Sequence, residues 1–309
     1  MKSKSHLTVV LQALFVTFLW STSWVLIKIG LKNIPAITFA GLRYSIAFIC
    51  LFIVFLFSKN FKQEIGRINK KDLTKIIFLG ILFYFVTQGS QFLGLFYLPS
   101  VTVTLLLNFT TIIVAVIGIL FLNESLTKLQ WLGVALFTVG SVIYFYPVQF
   151  PKSEWIGLVI VLIGVLANAL SSILGRSINK KGNLRPLTIT VLSMGVGSVL
   201  LLISGIWYQG FPQLQINSWL IIIWLAVINT AIAFTIWNHT LRFLTAAESS
   251  IINNTMLIQI ALLAWIFLGE SLNMKAMIGL LFAVFGTLAV CIKRGKPKEV
   301  KIETEIKTK

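Results

Sequence analysis

Apolar residues run through this chain in long blocks. Stretches of about 20 mostly apolar residues, the length that crosses a bilayer core, fall at 7–29, 35–57, 73–97, 100–122, 128–147, 155–177, 186–208, 217–241, 246–268 and 274–293. Short turns such as "LKNIPA", "YLPSV" and "YQGFPQLQINS" separate them. The pattern predicts an all-α polytopic membrane protein of ten transmembrane helices with no room for a soluble domain. The sizeable polar loop is "SKNFKQEIGRINKKDL" at 58–73.

The stretch "FLNESLTKLQWLG" at 121–133 returns at 267–279 as "FLGESLNMKAMIG". The same spacing pairs Asn108 with Asn254, Gly133 with Gly279 and Gly140 with Gly286; a closely similar one pairs Trp20, Trp24 and Lys28 with Asn168, Ser172 and Arg176. Five spans, an odd number, separate the copies, so the second half inserts upside down. The expected units are 7–147 and 155–293, two inverted five-helix repeats, followed by a charged tail at 294–309. Inverted halves around a midplane site are the architecture of alternating-access transport. Glu124 and Glu270 then sit in helix-ending turns, with Ser125 or Thr127 and Ser271 or Asn273 placed to cap the next helices.

Composition supports a lipid environment: 57% of residues are hydrophobic and 11% charged, where a soluble chain has about a quarter charged. The +17 net charge is spread between apolar runs, which argues for topology rather than nucleic-acid binding. With the N-terminus inside, Lys and Arg concentrate on the cytoplasmic segments, so both termini are expected there, in a multi-pass protein of the cytoplasmic membrane. The start "MKSKSHLTVVLQALFVTFLW" is laid out like a signal peptide, but no small-x-small cleavage site clearly follows, so it reads as a retained first helix. Cys50 and Cys291 lie in apolar spans without ligand spacing, and Asp72 is the single Asp, so neither a metal nor a cofactor is expected. An intramembrane transferase needs clustered acids or an acid–histidine pair. It stays as an alternative, beside a channel or receptor. The sequence contains no Walker A motif, which points to secondary rather than primary transport.

Ten helices in two halves, each closing on "FL(N/G)ESL", resemble the EamA branch of the drug/metabolite transporter superfamily. "FLWSTSWVLIKIGLKNIPAITFAGLRY" at 18–44, with Trp20, Lys28, Pro35 and Arg43, is similar to the family's opening. "AIAFTIWNHTLRFLTAAESSIINN" at 231–254 resembles its eighth and ninth helices, and the likeness covers 7–293. The resemblance implies a carrier of a small molecule; relatives export amino acids, other metabolites or drugs.

Polar residues inside spans mark the candidate path, because each needs a partner or water. Tyr84, Gln88 and Gln91 share one face of the third span, and Trp20, Trp24 and Lys28 one face of the first. Asn108, Asn168, Ser172, Trp237 and Asn254 extend the set, making spans 1, 3, 4, 6, 8 and 9 the expected lining and spans 5 and 10 the scaffold. Arg43 lies deep in the second span without an acid at its depth; bonding helix ends competes with contact to an anionic substrate. Lys28 and Arg176 are cations at opposite mouths, where gating competes with simple snorkelling to the interface. His239 and Glu248 are the proton-coupling candidates, against packing for the first and helix capping for the second. Glycines at 133, 140, 279 and 286 predict close packing between the halves or a homodimer contact, so monomer and homodimer both stay open.

Overall fold

The computed structural model describes residues 6–58, 61–122, 127–146, 151–180, 184–240, 243–244 and 246–291. These residues form helices and turns, with no strand among them. The helices are α1 (His6–Gly30), α2 (Ala36–Leu56), α3 (Lys70–Tyr97), α4 (Ser100–Leu122), α5 (Lys128–Phe145), α6 (Lys152–Lys180), α7 (Pro186–Gln209), α8 (216–240), α9 (Ala246–Leu268) and α10 (Met274–Cys291). A short helix, Phe61–Gly66, lies between α2 and α3. Among the described residues nine helices are long and apolar enough to cross a membrane, and Met274–Val290 is a shorter apolar helix.

Local chemistry sets the boundaries. Pro35 precedes α2 and Pro186 opens α7, since proline lacks the N–H of a helix interior but its fixed φ suits a first turn. Thr127 Oγ1 accepts from the Gln130 amide at 3.3 Å while Gln130 Oε1 accepts from the Thr127 amide at 3.0 Å, a capping box that starts α5. Asn273 Oδ1 starts α10 by accepting from the Ala276 amide at 2.7 Å. Gly269 leaves α9 at φ 68°, a left-handed conformation open to glycine. Glu124, Ser125 and the tail lie outside the described residues.

Successive helices alternate in direction. We call the end where α1 begins the near end and the other the far end. α5 packs on α10, α2 on α7, α1 on α9 and α4 on α6; α3 lies against α6 and α7 as α8 lies against α1 and α2. In the α5–α10 pair, a Cβ on Gly140 would stand 2.6 Å from the Gly279 carbonyl oxygen, and one on Gly133 2.7 Å from that of Gly286. Lipid tails are as apolar as leucine, so helices in a bilayer associate by close packing. The repeated glycines therefore let the two backbones touch within one chain.

α3 and α8 each contain a π-helical stretch, Gly80–Gln88 and Val227–Ile232. In each, a threonine hydroxyl donates five residues back at 2.8 Å: Thr87 to the Leu82 carbonyl and Thr230 to the Leu225 carbonyl. Such stretches are rare and concentrate at functional sites.

Candidate functional site

A cavity of about 260 Å³ lies in the near half between α3, α6, α7 and α8. Phe83 and Tyr84 of α3 and Phe234 of α8 form an aromatic wall. Ser171, Ser172 and Arg176 of α6 and Ser193 of α7 also line it. The Oγ atoms of Ser171 and Ser172 each donate to the Asn168 carbonyl at 2.8 Å, and Ser193 Oγ to the Ile189 carbonyl at 2.6 Å. A hydroxyl carries one proton and two lone pairs. These three have committed their protons to backbone, so they face a ligand as acceptors. Arg176, exposed at the rim, supplies donors and positive charge, and no carboxylate is among the described lining residues. The walls suit a molecule with an N–H donor, an anionic group and an apolar part.

Tyr84, Ser172 and Arg176 are the sequence candidates that line this cavity. α7, outside the expected lining set, contributes a wall, while α1, α4 and α9 contribute no described lining residue. Trp20 sits one layer behind, its ring 5.3 Å from Phe234 and 5.2 Å from Trp237. Trp24 is buried in the core.

Beyond Tyr84 lies a buried polar cluster. The Tyr44 ring is 5.6 Å from that of Tyr84, and its hydroxyl donates to Gln88 Oε1 at 2.6 Å. The Arg43 guanidinium lies 5.2 Å above the Tyr44 ring and 5.9 Å from that of Phe92, and Nε donates to Thr230 Oγ1 at 3.2 Å. Aromatic faces and a threonine thus attend this buried cation in place of an acid. Gln88 and Tyr84, four residues apart in the π-helical stretch, both meet Tyr44; Gln91 beyond it is half-buried.

Asn168 Nδ2 donates to Thr110 Oγ1 at 3.2 Å, tying α6 to α4, whereas Asn108 donates to its own helix at the Thr104 carbonyl, 2.8 Å away. Asn254 is half-buried on α9. Glu248 meets His6 Nε2 at 3.0 Å at the near end, and His239 packs its ring 5.2 Å from Phe243.

Lys28 departs from the snorkelling expectation. Its Nζ turns inward and donates to the carbonyls of Leu95 at 2.5 Å and Leu98 at 2.6 Å. Glu270, in the turn that ends α9, caps a helix distant in sequence: it accepts from the Ser100 amide at 2.7 Å and the Val101 amide at 3.2 Å, at the start of α4.

Several residues in these networks gave no signal in sequence. Ser21 Oγ donates to Gln259 Oε1 at 2.9 Å, zipping α1 to α9. Asn229, fully buried, donates from Nδ2 to the Leu19 carbonyl. Glu64, 3% exposed in the short helix, accepts from the Arg185 amide at 3.1 Å and Thr188 Oγ1 at 3.0 Å, capping α7. Hydroxyls and amides facing other helices look like any others until the partners are known.

The model of the EamA-like transporter family matches this chain twice, over residues 7–146 and 155–292. The chain belongs to the EamA-like transporter family. It is a multi-pass membrane transporter, and its relatives agree. An uncharacterized transporter of Archaeoglobus fulgidus is 27% identical, covering 91% of this chain and 98% of its own. The uncharacterized transporter YvbV of Bacillus subtilis is 28% identical over 93% of this chain and 92% of its own. An S-adenosylmethionine/S-adenosylhomocysteine transporter of Chlamydia trachomatis is 25% identical over 86% and 83%. A solved crystal structure shares the fold at TM-score 0.64 and 15% identity, covering 92% of this chain and 97% of the other. In this EamA-like chain, a small-molecule substrate and the bilayer are the natural partners.

Proposed function

We propose that the protein is a secondary active exporter of small amphipathic metabolites, amino-acid-like compounds foremost, acting by alternating access. The observation that carries this reading is a cavity of mixed polar and apolar lining in the near half of a bundle whose far end is tied together by side chains from both halves. Two inverted halves, 7–147 and 155–293, rock about the central cluster of Arg43, Tyr44, Tyr84 and Gln88. The double family match and the reciprocal helix pairings support that division. The near end, with both termini and the tail at 294–309, faces the cytoplasm, so the cavity faces the substrate to be exported. Lys and Arg crowd that side, in keeping with the positive-inside rule.

The substrate class follows from the acceptor serines, the Arg176 rim and the aromatic wall. The chlamydial relative is named for S-adenosylmethionine and S-adenosylhomocysteine, both of which carry an amino-acid head. Counterflow in proteoliposomes tests the proposal. Vesicles loaded with an unlabelled amino acid or derivative accumulate the labelled compound transiently if the protein exchanges it. Absence of overshoot across aliphatic, aromatic and sulfur-containing amino acids and their nucleoside derivatives would overturn it.

A further inference from the structure

The turn between α3 and α4, Leu98-Pro99-Ser100, leaves backbone groups on both sides without partners in their own helices. The Leu95 carbonyl would ordinarily receive the amide four residues on, but that residue is Pro99, which has no N–H. The Ser100 and Val101 amides belong to the first turn of α4, where no intrahelical acceptor exists. Lys28 fills the first gap and Glu270 the second. Each charge also has the sign that suits its helix dipole: a cation at the C-terminus of α3, an anion at the N-terminus of α4. Lys28 comes from the end of α1 and Glu270 from just past α9, so one turn is gripped from both halves of the chain.

Arg176, the counterpart of Lys28 in the second half, is exposed at the open rim. In the sequence, Thr245 stands where Pro99 stands in the first half.

We propose that Lys28 and Glu270 form a latch on the α3–α4 turn that holds the far end shut while the cavity is open at the near end. The latch releases when the far end opens. Charge-assisted bonds to backbone suit this use: water replaces each partner once the end opens, so the closed state is favoured without being locked. Lys28 and Glu270 act by positioning helices, and neither lines the cavity.

The proposal rests on the alternating-access reading, but its test needs no substrate. Thr104 is buried one turn inside the latch. A Thr104→Cys variant, in a chain with Cys50 and Cys291 replaced by alanine, is exposed to a membrane-impermeant maleimide from the far side of vesicles. Labelling is expected to be slow with the latch intact. Loss of one charge-assisted bond shifts a two-state balance roughly tenfold. Lys28→Gln or Glu270→Gln should accelerate labelling by that factor, while Lys28→Arg restores protection. Lys32→Gln, an exposed charge at the same end, should leave labelling unchanged.

Equal labelling in the latched and unlatched chains, or acceleration by Lys32→Gln as large as by Lys28→Gln, overturns the latch. If the cysteine variant does not fold, amide exchange at Ser100 and Val101 gives the answer. It should quicken in Glu270→Gln, and unchanged exchange rejects the proposal. A latch that behaves as expected beside failed counterflow would reject the assigned substrates and leave the gate standing.

Discussion

Tyr44 donates its hydroxyl to Gln88 Oε1 across 2.6 Å, joining α2 to the π-helical stretch of α3 directly behind the cavity. Gln88→Ala leaves that buried hydroxyl without its acceptor, at a cost of about 1–3 kcal/mol. Tyr44→Phe removes both the donor and its need and should cost less. The double variant should therefore be more stable than the two single losses added together. Thermal unfolding in detergent of the four proteins in the cycle measures this, and strict additivity would show that the bond contributes nothing.

Gly140→Ala places a methyl 2.6 Å from the Gly279 carbonyl, where backbone faces backbone and no side chain can step aside. Overpacking of this kind costs about 1–3 kcal/mol. Gly66→Ala meets no atom within 4 Å and serves as the control. The melting temperature of the first should fall clearly below that of the second.

Glu64→Ala strips the Arg185 amide and Thr188 of a buried acceptor at the start of α7. Loss of a helix cap costs about 1 kcal/mol. Because Glu64 is buried, the fall should sit at or above that figure, and limited proteolysis within 58–73 should quicken. Equal stability and equal cleavage would mean that the cap is dispensable.

Phe234→Ala removes a ring from the cavity wall without touching a hydrogen bond of the acceptor serines. An apolar contact of that size is worth about 1.5–3 kcal/mol, so KM for an aromatic amino acid should rise about tenfold or more. KM for a small polar one should move little. Counterflow with phenylalanine and serine separates the two, and an equal change in both would remove the ring from recognition.

Residue pattern alone located the spans, because a bilayer demands about 20 apolar residues per crossing and that signal survives without an alignment. The repeated turn at 121–133 and 267–279 disclosed the internal kinship of the two halves. It also pointed to capping, which Thr127 and Asn273 carry out. The site was less legible. Tyr84, Ser172 and Arg176 stand out as polar groups in apolar spans and line the cavity, whereas Ser193 and Thr190 of α7, which line it too, look like ordinary small residues in a greasy helix. For Lys28, proximity to a span end suggests snorkelling, yet its partners are carbonyls 67 and 70 positions away. The first of these, on Leu95, lacks its amide because Pro99 stands four residues on.

The sequence by itself determined the helical membrane class, the positions of the apolar helices and membership in the EamA-like transporter family. These depend on local hydrophobicity and on internal similarity, both present in the linear chain. Tertiary structure alone decided which polar groups meet. It set the bond between Tyr44 and Gln88, the aromatic setting of buried Arg43, and the joint hold of Lys28 and Glu270 on one turn. Those facts depend on which helix faces which, and inside a bilayer uniform apolarity leaves that choice to packing and to the pairing of every buried polar group.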